Sequence, residues 1–265
     1  MSSRPSFLLA ATLTAVLAIG LATSATAASA ARWMPKPTTA PWQWQLQGKI
    51  DLSVPAKVYE VDGFETPPRT VSRLHRLGRR AICYLDVGSW ESYRPDAGEF
   101  PKGALGDVYS GYPDERWLDI REIAALAPIL RRRFDLCRSK GFDAVEPDNI
   151  AGYENKTGFP LTGADQLRFN RWAAREVHRR GMSVALKNDP AQVGSLVGDF
   201  DFAVVEECFE YDECQKFSPF VEAGKAVYSA EYEGSPASFC PKARKLGFST
   251  IGKGYDLFAR PWQPC

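Results

Sequence analysis

Eight short, mostly apolar runs recur along the chain, at 42–46, 57–61, 81–85, 142–146, 183–187, 202–206, 226–230 and 248–251, and each predicts a strand. Between them, the stretches 66–77, 120–139, 164–180 and 236–246 carry helical spacing or helix-forming composition. Gly78, Gly141, Gly181, Gly224 and Gly247 stand before or near a new strand, where a helix C-terminus favours a residue that accepts positive φ. Alternating strand and helix predicts a parallel sheet, and eight units fit a closed α/β architecture, the (β/α)8 TIM barrel, as a single domain. An open doubly wound sheet fits less well, because no GxGxxG or GxxxxGK loop follows a strand.

The N-terminus lies outside this alternation. Arg4 gives a positive start, Phe7 to Leu21 carries no charge, and Ala25-Thr26-Ala27 or Ala28-Ser29-Ala30 offers a small-residue cleavage site. The uncharged stretch falls short of the roughly 20 apolar residues that a membrane-spanning helix needs. The expected organisation is an export signal at 1–31, a Pro- and Thr-containing leader at 32–41, and the barrel domain at 42–265. A secreted chain agrees with the six cysteines, an even number that predicts disulfides. Sequence alone leaves fifteen pairings open. Cys208 with Cys214 makes a plausible local staple, Cys240 with Cys265 would tie down the terminus, and Cys83 and Cys137 then remain.

Composition removes several function classes. Of 265 residues 45% are hydrophobic, enough for a sizeable core, and 33 Lys+Arg against 32 Asp+Glu leave a formal charge of +1. Removing the signal takes Arg4 and no acid, so the mature charge balances. Nothing draws such a chain to nucleic acid or to an anionic membrane, and charge specificity must be local. His75 and His178 are the sole histidines, which weighs against zinc chemistry; neither metal nor cofactor is expected. No sequence feature demands an obligate partner, so a monomer is expected.

In a barrel the residues closing each strand build the active face. Here they are acidic: Asp62, Asp86, Glu146 with Asp148 and Asn149, Lys187 with Asn188 and Asp189, Glu206 with Glu207, and Glu231. Any one of them is as readily a helix cap. Repeated around one rim, like charges need partners or protons, and raised pKa values suit general acids. Paired carboxylates cleave sugar linkages as acid/base and nucleophile, or as acid and base. Trp42, Trp44, Tyr84, Trp90, Tyr93, Trp117, Tyr153, Tyr211, Tyr232 and Tyr255 fall near these strand ends, and those not claimed by the core would stack on sugar rings. An acidic cleft in a charge-balanced chain favours a cationic polysaccharide, pointing to an amino sugar.

Six segments at these residues, WQWQLQG (42–48), ICYLDVGSWESYRPD (82–96), ERWLDIR (115–121), GFDAVEPDN (141–149), LKN (186–188) and VEECFEYDEC (205–214), make the chain similar to the endo-α-1,4-polygalactosaminidases of glycoside hydrolase family 114. The resemblance implies a (β/α)8 barrel that cleaves α-1,4-linked galactosamine polymers, with its catalytic pair on Asp148 and Glu206. The chain departs from the family pattern at Ala151, where an acid is common, and at Asp86, where a small residue is usual. Expected substrate contacts are Asp62, Tyr84, Asp86, Glu91, Glu146, Asn149, Tyr153, Lys187, Asn188, Tyr211 and Glu231, with Lys187 and Asn188 orienting or tuning the acids. Glu115, Asp119 and Arg121 are expected to form a salt-bridged entrance to the long helix, and Arg94 with Asp96 invites a similarly structural role. The competing functions are a catalytically silent barrel that binds cationic glycan, and a polysaccharide deacetylase, which histidine scarcity disfavours.

Overall fold

The computed structural model describes Met1, Ser2 and residues 32–265; the rest of the expected export signal lies outside the described residues. Eight parallel strands form the predicted ring: β1 (Trp42–Gln45), β2 (Val58–Asp62), β3 (Arg80–Asp86), β7 (Ala144–Asp148), β8 (Ser183–Lys187), β9 (Phe202–Glu206), β10 (Val227–Glu231) and β11 (Ser249–Gly252). Six helices connect them: α1 (Pro68–Arg76), α2 (Ile123–Lys140), α3 (Gly163–Arg179), α4 (Val193–Leu196), α5 (Ser218–Glu222) and α6 (Pro236–Leu246). The four longer ones match the four expected from periodicity. Gly141, at φ 88°, ends α2 in the left-handed conformation that a Cβ would disfavour.

The seam between β11 and β1 is closed by the chain's end. Strand β12 (Gln263–Pro264) pairs antiparallel with β11, the Trp262 indole donates to the Trp42 carbonyl at 2.8 Å, and the Leu46 amide donates to the Leu257 carbonyl at 3.0 Å. The leader crosses the opposite end. Arg32 meets Asp201 at 2.9 Å, the Trp33 ring packs on Phe202, the Ala226 amide donates to Pro35, and Ser249 donates to Ala40. All these contacts fall at or beside strand N-termini, so residues 32–41 lie across the floor of the barrel.

Period-two alternation divides the strands between two cores. On β7, Val145 belongs to the core between sheet and helices, whereas Ala144 belongs to the barrel interior with Trp42, Trp44, Ile82, Ala185, Phe202, Val204 and Tyr228. Continuing that inner face upward gives Glu146 and Asp148 on β7, Lys187 on β8 and Glu206 on β9. An apolar floor beneath a charged upper layer is thus written into one alternating pattern.

Three disulfides join Cys83 to Cys137, Cys208 to Cys214 and Cys240 to Cys265. They link β3 to α2, tighten the loop after β9, and tie α6 to the terminus. A small antiparallel sheet corrects the expectation for ERWLDIR. Strands β4 (Ser89–Glu91), β5 (Leu105–Tyr109) and β6 (Tyr112–Leu118) pair in the order β4-β6-β5. Ser110-Gly111 makes the two-residue hairpin turn, with Gly111 at φ 87°. Glu115 therefore sits on a strand rather than at a helix entrance; Asp119 and Arg121 do form an ion pair, at 2.7 Å.

Candidate active site

At the C-terminal end of the barrel lies a cleft of about 1230 Å³, larger than the roughly 300–1,000 Å³ of a usual small-ligand pocket. Its centre is the ammonium of Lys187. The Nζ atom lies 2.8 Å from Asp148 Oδ1, 3.1 Å from Glu206 Oε2 and 3.0 Å from Glu146 Oε1, with the Trp44 ring 5.0 Å away. Burial alone would depress the Lys187 pKa, but the charges of Asp148, Glu146 and Glu206 outweigh it and hold the ammonium well above its ordinary value. Laid end to end, the two outer contacts put one oxygen of Asp148 and one of Glu206 no more than about 6 Å apart.

Each outer carboxylate has its own partners. Asp148 accepts from the Tyr84 hydroxyl at 3.0 Å and from the Asn149 amide at 2.7 Å. Glu206 accepts from the Tyr232 hydroxyl at 2.5 Å and from the Asn188 side chain at 3.2 Å, while Asn188 Oδ1 takes the Glu206 amide at 2.9 Å. Asp148 and Glu206 keep 17% and 27% side-chain exposure, whereas Glu146 has none. Only the outer two are open to a ligand.

Backbone strain sits beside this chemistry. Asn149, Asn188 and Glu207 have φ of 60°, 49° and 52°, and each directly follows the residue that ends its strand. Such conformations cost roughly 1 kcal/mol or more and persist where the surroundings dictate them. Gly88 answers a different demand: a Cβ there would lie 1.8 Å from the Asn149 carbonyl oxygen, so glycine lets the β3–β4 turn rest against Asn149. Asn149 in turn donates to Asp86 at 2.5 Å.

The expected site residues divide accordingly. Tyr84, Asp148, Asn149, Lys187, Asn188 and Glu206 converge at the centre, and Asp62 and Tyr211 stand on the cleft wall. Asp86, Glu91, Glu146, Tyr153 and Glu231, expected as substrate contacts, do not line the cleft. Asp86 receives Gly88, Ser89 and Asn149 behind the rim. Glu91 is fully buried against Arg94 at 2.7 Å and Arg133 at 3.6 Å. Glu146 lies under Lys187, and Tyr153 reaches Asp189 at 3.3 Å from behind. Glu231 accepts the Phe209 and Glu210 amides, holding the Cys208–Cys214 loop, and burial pushes its pKa up to about 7.

Some lining residues, and the partners of others, escaped the sequence. Tyr232 was legible as an aromatic near a strand end, but nothing in sequence placed its hydroxyl on Glu206. Tyr109 and Tyr112 reach the cleft with Trp117 through the unforeseen hairpin, their rings 5.3 Å apart and Tyr109 4.6 Å from Trp117. Tyr255 and Phe258 come from the C-terminal segment, Tyr255 packing 4.5 Å from Tyr232 and donating to Glu207 at 2.8 Å. Glu115 also faces the cleft; burial and then the Glu91 charge push it up to about 7. In all, ten acids line the cleft against Arg94, Lys187 and Lys216. The one close group of metal-ligand types among the described residues is Cys208, Cys214 and Glu231, whose thiols are spent in a disulfide and cannot act as thiolate ligands.

A parallel barrel whose strand ends bring two accessible carboxylates together among aromatic rings has the parts a glycoside hydrolase uses. The chain belongs to glycoside-hydrolase family GH114, whose model matches residues 22–265. It is similar to Ega3 of Aspergillus fumigatus, solved in complex with galactosamine, at 34% identity and a TM-score of 0.84, covering 89% of this chain and 98% of that one. The glycoside hydrolase domain of PelA from Pseudomonas aeruginosa shares the fold, with a TM-score of 0.66 at 13% identity over 84% of this chain and 97% of that one. A search of curated proteins returns no match.

Proposed function

We propose that this glycoside hydrolase cleaves α-1,4-linked, galactosamine-rich polysaccharide within the chain, with Asp148 as nucleophile and Glu206 as general acid and base. The observation that carries the reading is Lys187, whose ammonium contacts both cleft-facing carboxylates. Asp148, the less exposed of the two and 2.8 Å from Lys187, attacks the anomeric carbon. Glu206, more exposed and facing Tyr232, gives its proton to the leaving oxygen. Water then enters, Glu206 takes its proton, and the Asp148 ester is released with net retention of configuration.

Three features support a polymeric amino-sugar substrate: the volume of the cleft, aromatic rings on both walls, and an excess of acids that ammonium groups would relieve. Galactosamine in the complex of the Ega3 relative is consistent with them. Export supports the same picture. Residues 1–31 have the composition of a cleaved signal, the 32–41 leader packs at the barrel floor ahead of the 42–265 domain, and three disulfides suit an oxidising compartment. No helix among the described residues is long and apolar enough to cross a membrane.

Incubating the protein with partly deacetylated α-1,4-galactosamine polymer tests the reading. New reducing ends and a rapid fall in polymer length are expected; binding without new ends would make the protein a silent glycan-binding barrel.

A further inference from the structure

Two fully buried acids under the cleft have no place in that reaction. Glu60 on β2 and Glu146 on β7 lie side by side in the barrel interior, each 0% exposed. Among the described residues Glu60 finds no hydrogen-bond donor and Glu146 finds only the Lys187 ammonium, 3.0 Å from Oε1, so the two carboxyls meet each other through a shared proton. Burial and then the Glu146 charge push Glu60 well above the ordinary carboxylate range, so Glu60 holds that proton. Burial, opposed by Lys187, leaves Glu146 at about 7. The other ionisable groups facing the pair are Lys187 on β8, Asp148 on β7 and Tyr84 on β3, with Glu206 beyond Lys187. Burying an acid pair in this position costs stability.

We propose that Glu60 and Glu146 are positioning residues: the proton-sharing pair holds Lys187 at the midpoint between Asp148 and Glu206, so that one ammonium serves both carboxylates in turn. This rests on the double-displacement reading. In the first step the Asp148 oxygen bonds to the anomeric carbon, the glycosidic bond breaks, and the Glu206 proton passes to the leaving oxygen. In the second, a water oxygen replaces Asp148 and its proton returns to Glu206. The outer pair therefore carries one negative charge throughout, on Asp148 before the first step and on Glu206 after it. A cation within 2.8 Å of one and 3.1 Å of the other follows that charge without moving. Glu146, 3.0 Å below, sets how strongly Lys187 bears on the outer pair, and the Glu60 proton sets how much charge Glu146 has.

Carboxyl-carbon NMR titration of the resting, full-length mature protein tests this without substrate. In E146Q, Lys187 loses its third carboxylate and bears harder on Asp148 and Glu206, so their titration is expected to move about one pH unit towards acid. The alkaline limb of kcat follows, with kcat down roughly tenfold and KM within about twofold. E60Q, whose carboxamide still donates to Glu146, keeps the wild-type profile; E60M, which cannot donate, leaves Glu146 to take up the proton and behaves like E146Q. An unshifted titration in E146Q, or E60Q titrating like E146Q, overturns the proposal. Should E60M not fold, E146Q and E60Q decide alone. Failure of the hydrolase reading would be seen separately, as wild-type turnover in D148N or E206Q.

Discussion

Two groups of carboxylates crown this barrel, and they are neutralised in different ways. On the β2–β4 side, Arg94 reaches Asp62 and Glu91 at 2.7 Å each, and Arg133 grips Asp96 through two N–H groups at 2.8 Å. On the β7–β9 side, Glu146, Asp148 and Glu206 share the single ammonium of Lys187. A guanidinium is planar, offers several donors and fixes a carboxylate in one geometry; an ammonium is a point charge that three acids must divide. The arginine-held acids are each gripped in a fixed geometry by a guanidinium. The lysine-held acids divide one point charge, two of them open to the cleft, and that difference separates scaffold from proposed chemistry at a rim where both look alike in sequence.

The comparison can be broken most severely at its proposed chemical end. D148N and E206Q are each expected to lower kcat by roughly three or more orders of magnitude while thermal melting stays within a few degrees of wild type. K187M is expected to lower kcat by about 10²-fold, because neither outer acid then has its cation. On the other side the readouts exchange. R94M strands Asp62 and Glu91 in the protein and is expected to cost about 3 kcal/mol, lowering Tm by roughly 10 °C, with kcat near normal in the folded fraction. Y211A, removing an exposed ring on the Cys208–Cys214 loop, is expected to raise KM roughly 3- to 10-fold with little change in kcat, measured on a defined oligosaccharide.

The smallest effect is a pH slope. Glu115 titrates near 7 in the folded protein against 4.5 for the ordinary group, so between those values the folded state keeps a proton that the unfolded chain has lost. Stability contributed this way is present in acid and is lost as pH rises through that window. E115Q is expected to flatten the fall in Tm across it by a few degrees at most, since solvent screens a group so near the cleft. An unchanged slope would remove Glu115 from the protonated acids.

Much of this was legible in the chain because periodicity and strand-end placement are local properties. The eight runs that predicted strands became β1, β2, β3 and β7 to β11, and strand closure put Asp148, Lys187 and Glu206 on one face. What sequence could not carry was direction and partnership. Glu231 and Glu146 both end or lie in strands, yet alternation turns Glu231 outward to the loop amides and Glu146 inward beneath Lys187. Glu60 sits mid-strand, where an acid is easily passed over, and its meaning depends on Glu146 arriving from another strand. The β5–β6 hairpin was missed because Tyr112 to Arg116 is almost wholly polar and offered no apolar run; Ser110-Gly111 was the signal available. Tyr255 was named with the strand-end aromatics, but Phe258 was not, because it reaches the cleft only where the C-terminal segment closes the barrel seam, a long-range contact without a local mark.

The central claim is that Asp148 forms the bond to sugar and Glu206 serves it. A 5-fluoro α-galactosaminyl fluoride, which keeps the 2-amino group and slows breakdown of a covalent intermediate more than its formation, tests this directly when the labelled protein is digested and its peptides are weighed. A label on the peptide carrying Asp148, accumulating in wild type and absent from D148N, is the predicted result. A label on another acid, or hydrolysis of the natural polymer with inversion at the anomeric carbon, would contradict it.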